Sequence, residues 1–185
     1  MPAEIALWSL LSVALVISVV TDLSTRRILD VVTYPALAIL LGLRFVYEGV
    51  GDLEHGLVSG LVSAAGAAAT FALVNLFWRK KGFGWGDVKL IAAVGAAMGY
   101  PGVVAALIFI SLVGSLQTIV TLIWQGAVWE TIGSVFRRLA SRVKLLDASK
   151  IQEPPGRHVP YGVAIALGSF WAMWWEHSQP RSFVQ

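Results

Sequence analysis

Residues 57–78 read LVSGLVSAAGAAATFALVNLFW, and Arg79-Lys80-Lys81 follow at once. The whole stretch up to Trp78 is free of charge. Wound as a helix at about 1.5 Å per residue, it rises about 33 Å. That crosses a hydrocarbon core of about 30 Å. The three cations at its end mark the side expected to face the cytoplasm. Five other apolar stretches flank it: Ile5 to Thr21, Val31 to Tyr47, Val88 to Gly99, Val103 to Trp124 and Val159 to Trp175. The Val88 stretch is short for a span, and sits either in a thinned bilayer or inside the bundle. Tyr100-Pro101-Gly102 supplies a turn after it. The fold class expected is all-α: a polytopic membrane protein with six transmembrane helices in one domain, residues 1–185.

Composition agrees. Of 185 residues, 57% are hydrophobic and 14% charged, against about 45–50% and about 25% in an average soluble protein. Mean hydropathy is +0.73. A chain this small cannot enclose so much apolar surface in water. Cysteine is absent, which excludes disulfides, thiol nucleophiles and cysteine-ligated metals.

Charge sets the orientation. Of the 14 Lys and Arg residues, all but Arg44 and Arg181 fall in segments 22–30, 79–89 and 125–158. With six spans and both termini outside, these three segments lie together in the cytoplasm. Merging the fourth and fifth spans would move 125–158 to the other side. The residues before the first span include Glu4 and no cation, so a cleavable signal peptide is not expected.

Two patterns have structural readings. Gly56, Gly60, Ala64 and Ala68 place small side chains along one helix stripe, for close packing or for a dimer face. Val128, Ile132, Val135, Phe136, Leu139, Val143 and Leu146 mark one face of a basic amphipathic segment between the last two spans. It lies either on the inner membrane surface or against protein.

Most acidic residues fall in loops or at their edges, and Asp30 is placed to cap the second span. Asp22 and Asp87 stand apart. Asp22 directly follows the first apolar run, Asp87 directly precedes the fourth, and the topology puts both at the cytoplasmic side. Two converging carboxyl groups cannot both ionise cheaply and so share a proton. One then accepts a proton from water while the other donates to a carbonyl oxygen. Spacing alone leaves two plainer readings open, Asp22 as a boundary marker and Asp87 as an N-cap. His55, His158 and His177 show no metal-ligand spacing, and no serine sits in a nucleophile turn.

The flanks of Asp87 read Gly84-Trp85-Gly86-Asp87-Val88-Lys89-Leu90. This resembles the GxGD motif of the type IV prepilin peptidases, membrane aspartic endopeptidases. Thr21-Asp22-Leu23-Ser24-Thr25-Arg26-Arg27-Ile28 resembles the segment that carries the family's first catalytic aspartate. Val159-Pro160-Tyr161-Gly162, followed by Ala166-Leu167-Gly168, resembles its Pro-aromatic-Gly signature. The three matches come in the family's order. Where the family commonly has Ile-Pro-Asn, this chain has Ile28-Leu29-Asp30.

The resemblance implies a leader peptidase of the bacterial inner membrane with catalytic Asp22 and Asp87 and no cofactor or metal. Its partners are a prepilin, with its leader and hydrophobic helix, and membrane lipids; no nucleic acid is expected. Larger bifunctional relatives carry cysteine pairs in an added segment and also N-methylate the pilin. The cysteine-free chain resembles the short, peptidase-only form that serves Tad/Flp pili. Alternative readings are a GxGD peptidase with another client such as preflagellin, or a non-enzymatic transporter or assembly subunit. Gly84 and Gly86 are expected to admit close backbone approach or positive φ. Lys89 is expected to meet lipid phosphate rather than hold charge near the pair. Pro160, Tyr161 and Gly162 are expected to shape the entry to the last span, at the edge of the cleft.

Overall fold

A computed structural model describes residues 2–25, 27–77, 84–124, 133 and 161–178. Among them are six helices and no strand: α1 (Pro2–Thr25), α2 (Asp30–Glu48), α3 (Gly56–Phe77), α4 (Trp85–Met98), α5 (Gly102–Trp124) and α6 (Tyr161–Ser178). The protein is all-α and polytopic. Each expected span has its helix within a few residues. The basic segment from Val128 to Leu146 lies outside the described residues, as does Pro160.

The chain divides into two compact units, Met1–Gly114 with Pro160–Gln185, and Ser115–Val159. In the second, the described residues are the last turns of α5, where Thr121 Oγ1 donates to the Gln117 carbonyl at 2.8 Å, and Gly133. All packing described below belongs to the first.

Among the described residues, four helices are long and apolar enough to cross a bilayer: α1, α2, α3 and α5. Their outward side chains are large and apolar. Val13, Val16, Val20, Val46, Leu73 and Leu76 are all exposed. Water would not tolerate such a surface on a monomer, whereas lipid does.

α4 has a different position. Fourteen residues rise only about 21 Å, yet nearly every side chain from Asp87 to Met98 is buried. It packs against α1, α2, α3 and α6. The short apolar stretch is packed inside the first unit, which favours the interior reading over a thinned bilayer. Small residues let the neighbours in. A Cβ on Gly95 would stand 2.5 Å from the Ser63 carbonyl oxygen, and one on Gly99 2.8 Å from Ser59 Oγ. These two contacts run α3 and α4 antiparallel.

The small-residue stripe of α3 is used inside the chain. Gly56, Gly60 and Ala64 are buried, and a Cβ on Gly60 would meet Arg44 Cδ at 2.7 Å. Arg44, one of the two cations outside the basic segments, is 5% exposed. Its Nε donates to the Ala96 carbonyl at 2.7 Å and its Nη2 to the Ala97 carbonyl at 2.9 Å. Nη1 reaches Glu48 Oε2 at 3.1 Å, which also accepts the Gly56 N–H at 2.7 Å. The guanidinium therefore satisfies carbonyls that the end of α4 leaves without intrahelical partners. It also places positive charge at the negative end of the helix dipole.

α1 and α6 are antiparallel as well. Asp22 near the end of α1 meets Gly162 at the start of α6. At the other end Trp8 meets His177, with ring centroids 6.3 Å apart. Further along α6, a Cβ on Gly168 would lie 2.5 Å from Ile110 Cα, and Trp171 stacks on Phe109 at 5.3 Å.

Removing the Arg44 side chain strands two buried carbonyls and the Glu48 carboxylate. Arg44→Leu is expected to cost about 3 kcal/mol, read as a lowered thermal midpoint in detergent. Arg44→Lys, with one point of charge in place of a planar fork, is expected to recover only part of it.

Candidate active site

The helices run further than the apolar stretches, and this places both aspartates inside helices rather than beside them. On α1 the buried face reads Leu7, Leu11, Leu15, Ser18 and Asp22. That spacing keeps one stripe toward the core, so Asp22 is 8% exposed despite its place in the last turn. Ser24 and Thr25 carry the helix past the apolar run. Their hydroxyls donate back to the carbonyls of Val20 and Thr21.

Gly162 N–H donates to Asp22 Oδ2 at 2.9 Å. This is one of the N–H groups that the first turn of α6 leaves unpaired, and the helix dipole there favours an anion. A Cβ on Gly162 would stand 2.8 Å from the same oxygen and 3.2 Å from Asp22 Cβ. Glycine at 162 is what allows the carboxylate to sit this close.

Asp87 occupies the first turn of α4, also 8% exposed. Its Oδ2 accepts the Gly84 N–H at 2.8 Å, and its own N–H donates to the Gly84 carbonyl at 3.1 Å. The N3 carboxylate reaching back to the N-cap N–H is half of a capping box; the N-cap, Gly84, has no side chain and accepts through its carbonyl. Asp87 is therefore not the N-cap of α4, a position that Gly84 holds; it stands at N3 and reaches back with one oxygen. Among the described residues, Oδ1 of neither aspartate accepts a hydrogen bond. Asp22 lies at the end of α1 and Asp87 at the start of α4, where Gly86 meets Ile28 of the α1–α2 connection.

Tyr161 opens α6 beside them. Its ring packs against Phe71 at 6.3 Å, and its hydroxyl end lies where a Cβ on Gly114 would be. Next to Asp22 and Gly162, α1 and α6 form an apolar groove lined by Val16, Val19, Val20, Val163, Ala166, Leu167 and Phe170.

The remaining motif residues have reasons that the sequence did not reveal. Neither Gly84 nor Gly86 has positive φ. Gly86 is required by the chain itself, since a Cβ there would stand 2.8 Å from Ile28 Cβ in the α1–α2 connection. At Gly84 a Cβ would make ordinary contact, 3.5 Å from Asp87 Oδ2. Lys89 has partners within the chain. Its Nζ donates to Asp30 Oδ1 at 2.7 Å and lies 4.7 Å from the Tyr34 ring centroid. Asp30 is correspondingly not the cap of α2; Leu29 holds that position.

Two buried polar side chains escaped the sequence reading. Ser18 lies one turn from Asp22, and Asn75 lies one turn beyond Phe71 on α3; among the described residues neither Ser18 Oγ nor Asn75 Oδ1 has a partner. Apolar neighbours in sequence hid both. Among the described residues no three His, Asp or Glu side chains gather as a metal-ligand group.

Residues 9–122, which include both aspartates, match the model of the type IV leader peptidase family. The chain belongs to that family. Among curated relatives, a prepilin leader peptidase/N-methyltransferase of Pectobacterium carotovorum is 30% identical over 154 residues, covering 71% of this chain and 50% of the relative. One of the same name from Pseudomonas aeruginosa is 25% identical over 180 residues, 96% of this chain and 50% of the relative. Another from Aeromonas salmonicida is 32% identical over 115 residues, 58% of this chain and 36% of the relative. The chain thus spans half or less of the length of these relatives. No solved structure gives a significant match.

The three glycines are expected to respond differently to alanine. Gly162→Ala and Gly86→Ala force a methyl group onto Asp22 and Ile28, and each should cost about 1–3 kcal/mol. Gly84→Ala has room and should cost less than about 1 kcal/mol. Thermal midpoints of the three purified variants check the order.

Proposed function

We propose that this chain is an aspartic endopeptidase that removes the leader from type IV prepilins, with Asp22 and Asp87 as the catalytic pair. The observation that carries the proposal is the shared design of the two carboxylates. Each is buried, each gives one oxygen to a backbone N–H at the start of a helix, and each leaves Oδ1 for chemistry. Membership of a leader peptidase family supplies the reaction class.

The chemistry requires the two carboxyl groups to meet. The pair holds one proton between two acids. The ionised carboxylate takes a proton from water as the water oxygen bonds to the scissile carbonyl carbon. The protonated partner gives its proton to the carbonyl oxygen. The tetrahedral diol then collapses: the C–N bond breaks, the new amine nitrogen takes a proton, and the leader leaves as a carboxylic acid. The backbone N–H bonds fix both carboxylates beforehand, so little reorganisation is needed during reaction.

The proposed setting is the bacterial inner membrane, with both aspartates on the cytoplasmic side and both termini outside. The basic segments around Arg27 and Lys80 support that orientation. The proposed client is a Tad/Flp-type prepilin, cut after a glycine just before its hydrophobic helix. The apolar groove between α1 and α6 opens beside Asp22, which suits a substrate whose apolar segment arrives through the lipid. The names of the relatives include N-methyltransferase; methyl transfer is not part of the proposal for this chain.

Asp22→Asn and Asp87→Asn are each expected to abolish cleavage of a co-expressed prepilin while the amount of protein in the membrane stays the same. A near wild-type rate in either variant overturns the assignment. The pH–rate profile of the parent should show two apparent ionisations that belong to the pair, measured on purified protein in liposomes with a panel of prepilins.

A further inference from the structure

We propose that Asp30 and Lys89 form a positioning clamp that fastens the α1–α2 connection to the first turns of α4 and so sets how Asp22 and Asp87 face each other. The inference rests on the peptidase reading of the two aspartates. Lys89 follows Asp87 by two residues, and Asp30 follows Asp22 by eight. The Nζ to Oδ1 bond is 2.7 Å long. Tyr34 sits one turn into α2 on the same face as Asp30 and receives the ammonium over its ring at 4.7 Å. One turn earlier on α4, Gly86 admits Ile28 so closely that a Cβ would stand 2.8 Å from Ile28 Cβ. The connection is thus held to α4 at two points, residues 86 and 89, and Asp87 lies between them.

Such a pair does little for overall stability. Lys89 keeps 27% of its side-chain surface exposed and Asp30 keeps 58%, and ion pairs in that range are worth little to folding. Geometry is another matter. A misplacement of about 1 Å between reacting groups can cost about a hundredfold in rate. The clamp joins the segment that follows one aspartate to the segment that carries the other. Neither Asp30 nor Lys89 is a catalytic residue in this scheme; both act through the carboxylates they position.

The test uses the full chain in liposomes with a co-reconstituted prepilin. Asp30→Asn and Lys89→Met should each lower kcat about ten- to a hundredfold with KM changed less than about twofold and the thermal midpoint unchanged. Lys89→Arg, which keeps the cation, should retain at least about half of the parental kcat. The double variant should be no slower than the slower single, since the two residues act as one unit. Because the chain has no cysteine, a spin label can be placed at each of Leu23→Cys and Trp85→Cys, two exposed sites next to the aspartates. The label-to-label distance distribution should be narrow in the otherwise parental chain and broaden when Asp30→Asn or Lys89→Met is added.

Parental kcat in both singles, losses that multiply in the double variant, a change confined to KM, or an unaltered distance distribution would each overturn the clamp. Failure of the unlabelled parent to cleave any prepilin would instead overturn the peptidase reading, with the label distances still deciding the clamp.

Discussion

A backbone N–H at the start of a helix, given to a buried carboxylate, is the interaction on which this structure turns. It occurs twice. The first turn of α6 holds Asp22 through Gly162, and the cap of α4 holds Asp87 through Gly84. An anion in an apolar bundle is costly unless it is hydrogen-bonded. The beginning of a helix offers both spare donors and a favourable dipole. Once two carboxylates need such ends, α4 and α6 must both begin at the side where α1 finishes. The up-and-down order of the helices follows, and glycine at 162 follows from the closeness of the bond.

The sequence made the helices legible because lipid imposes one rule along the whole chain. An uncharged run long enough to cross the hydrocarbon has few alternatives to a helix. Helix ends were less legible. Asp22 and Asp87 sat at the edges of apolar runs, while the hydroxyls of Ser24 and Thr25 prolong α1 and Gly84 begins α4 before its first apolar residue. Apolarity reports where the lipid begins, and hydrogen bonding decides where a helix stops.

Polar partnerships across the bundle were the least legible part. The positive-inside pattern marks Arg44 as an exception without giving its reason, which is a pair of carbonyls more than fifty residues away in sequence. Lys89 and Asp30 were each read alone, as a lipid contact and a helix cap, because 59 residues separate them. Gly86 was read as admitting close backbone approach or positive φ, when its neighbour is Ile28 of the same chain. Each of these depends on tertiary register, which periodicity does not encode. The aspartates were easier to find because a carboxylate beside an apolar run stands out by its cost.

The placement of α4 limits how the two aspartates can be approached. A helix of alanine, glycine and compact aliphatic residues fills the axis of the bundle, along the line that a channel would take. No thread can pass through a lumen that a helix already occupies. Whatever meets Asp22 and Asp87 must therefore come to the flank of α4 and not along its axis.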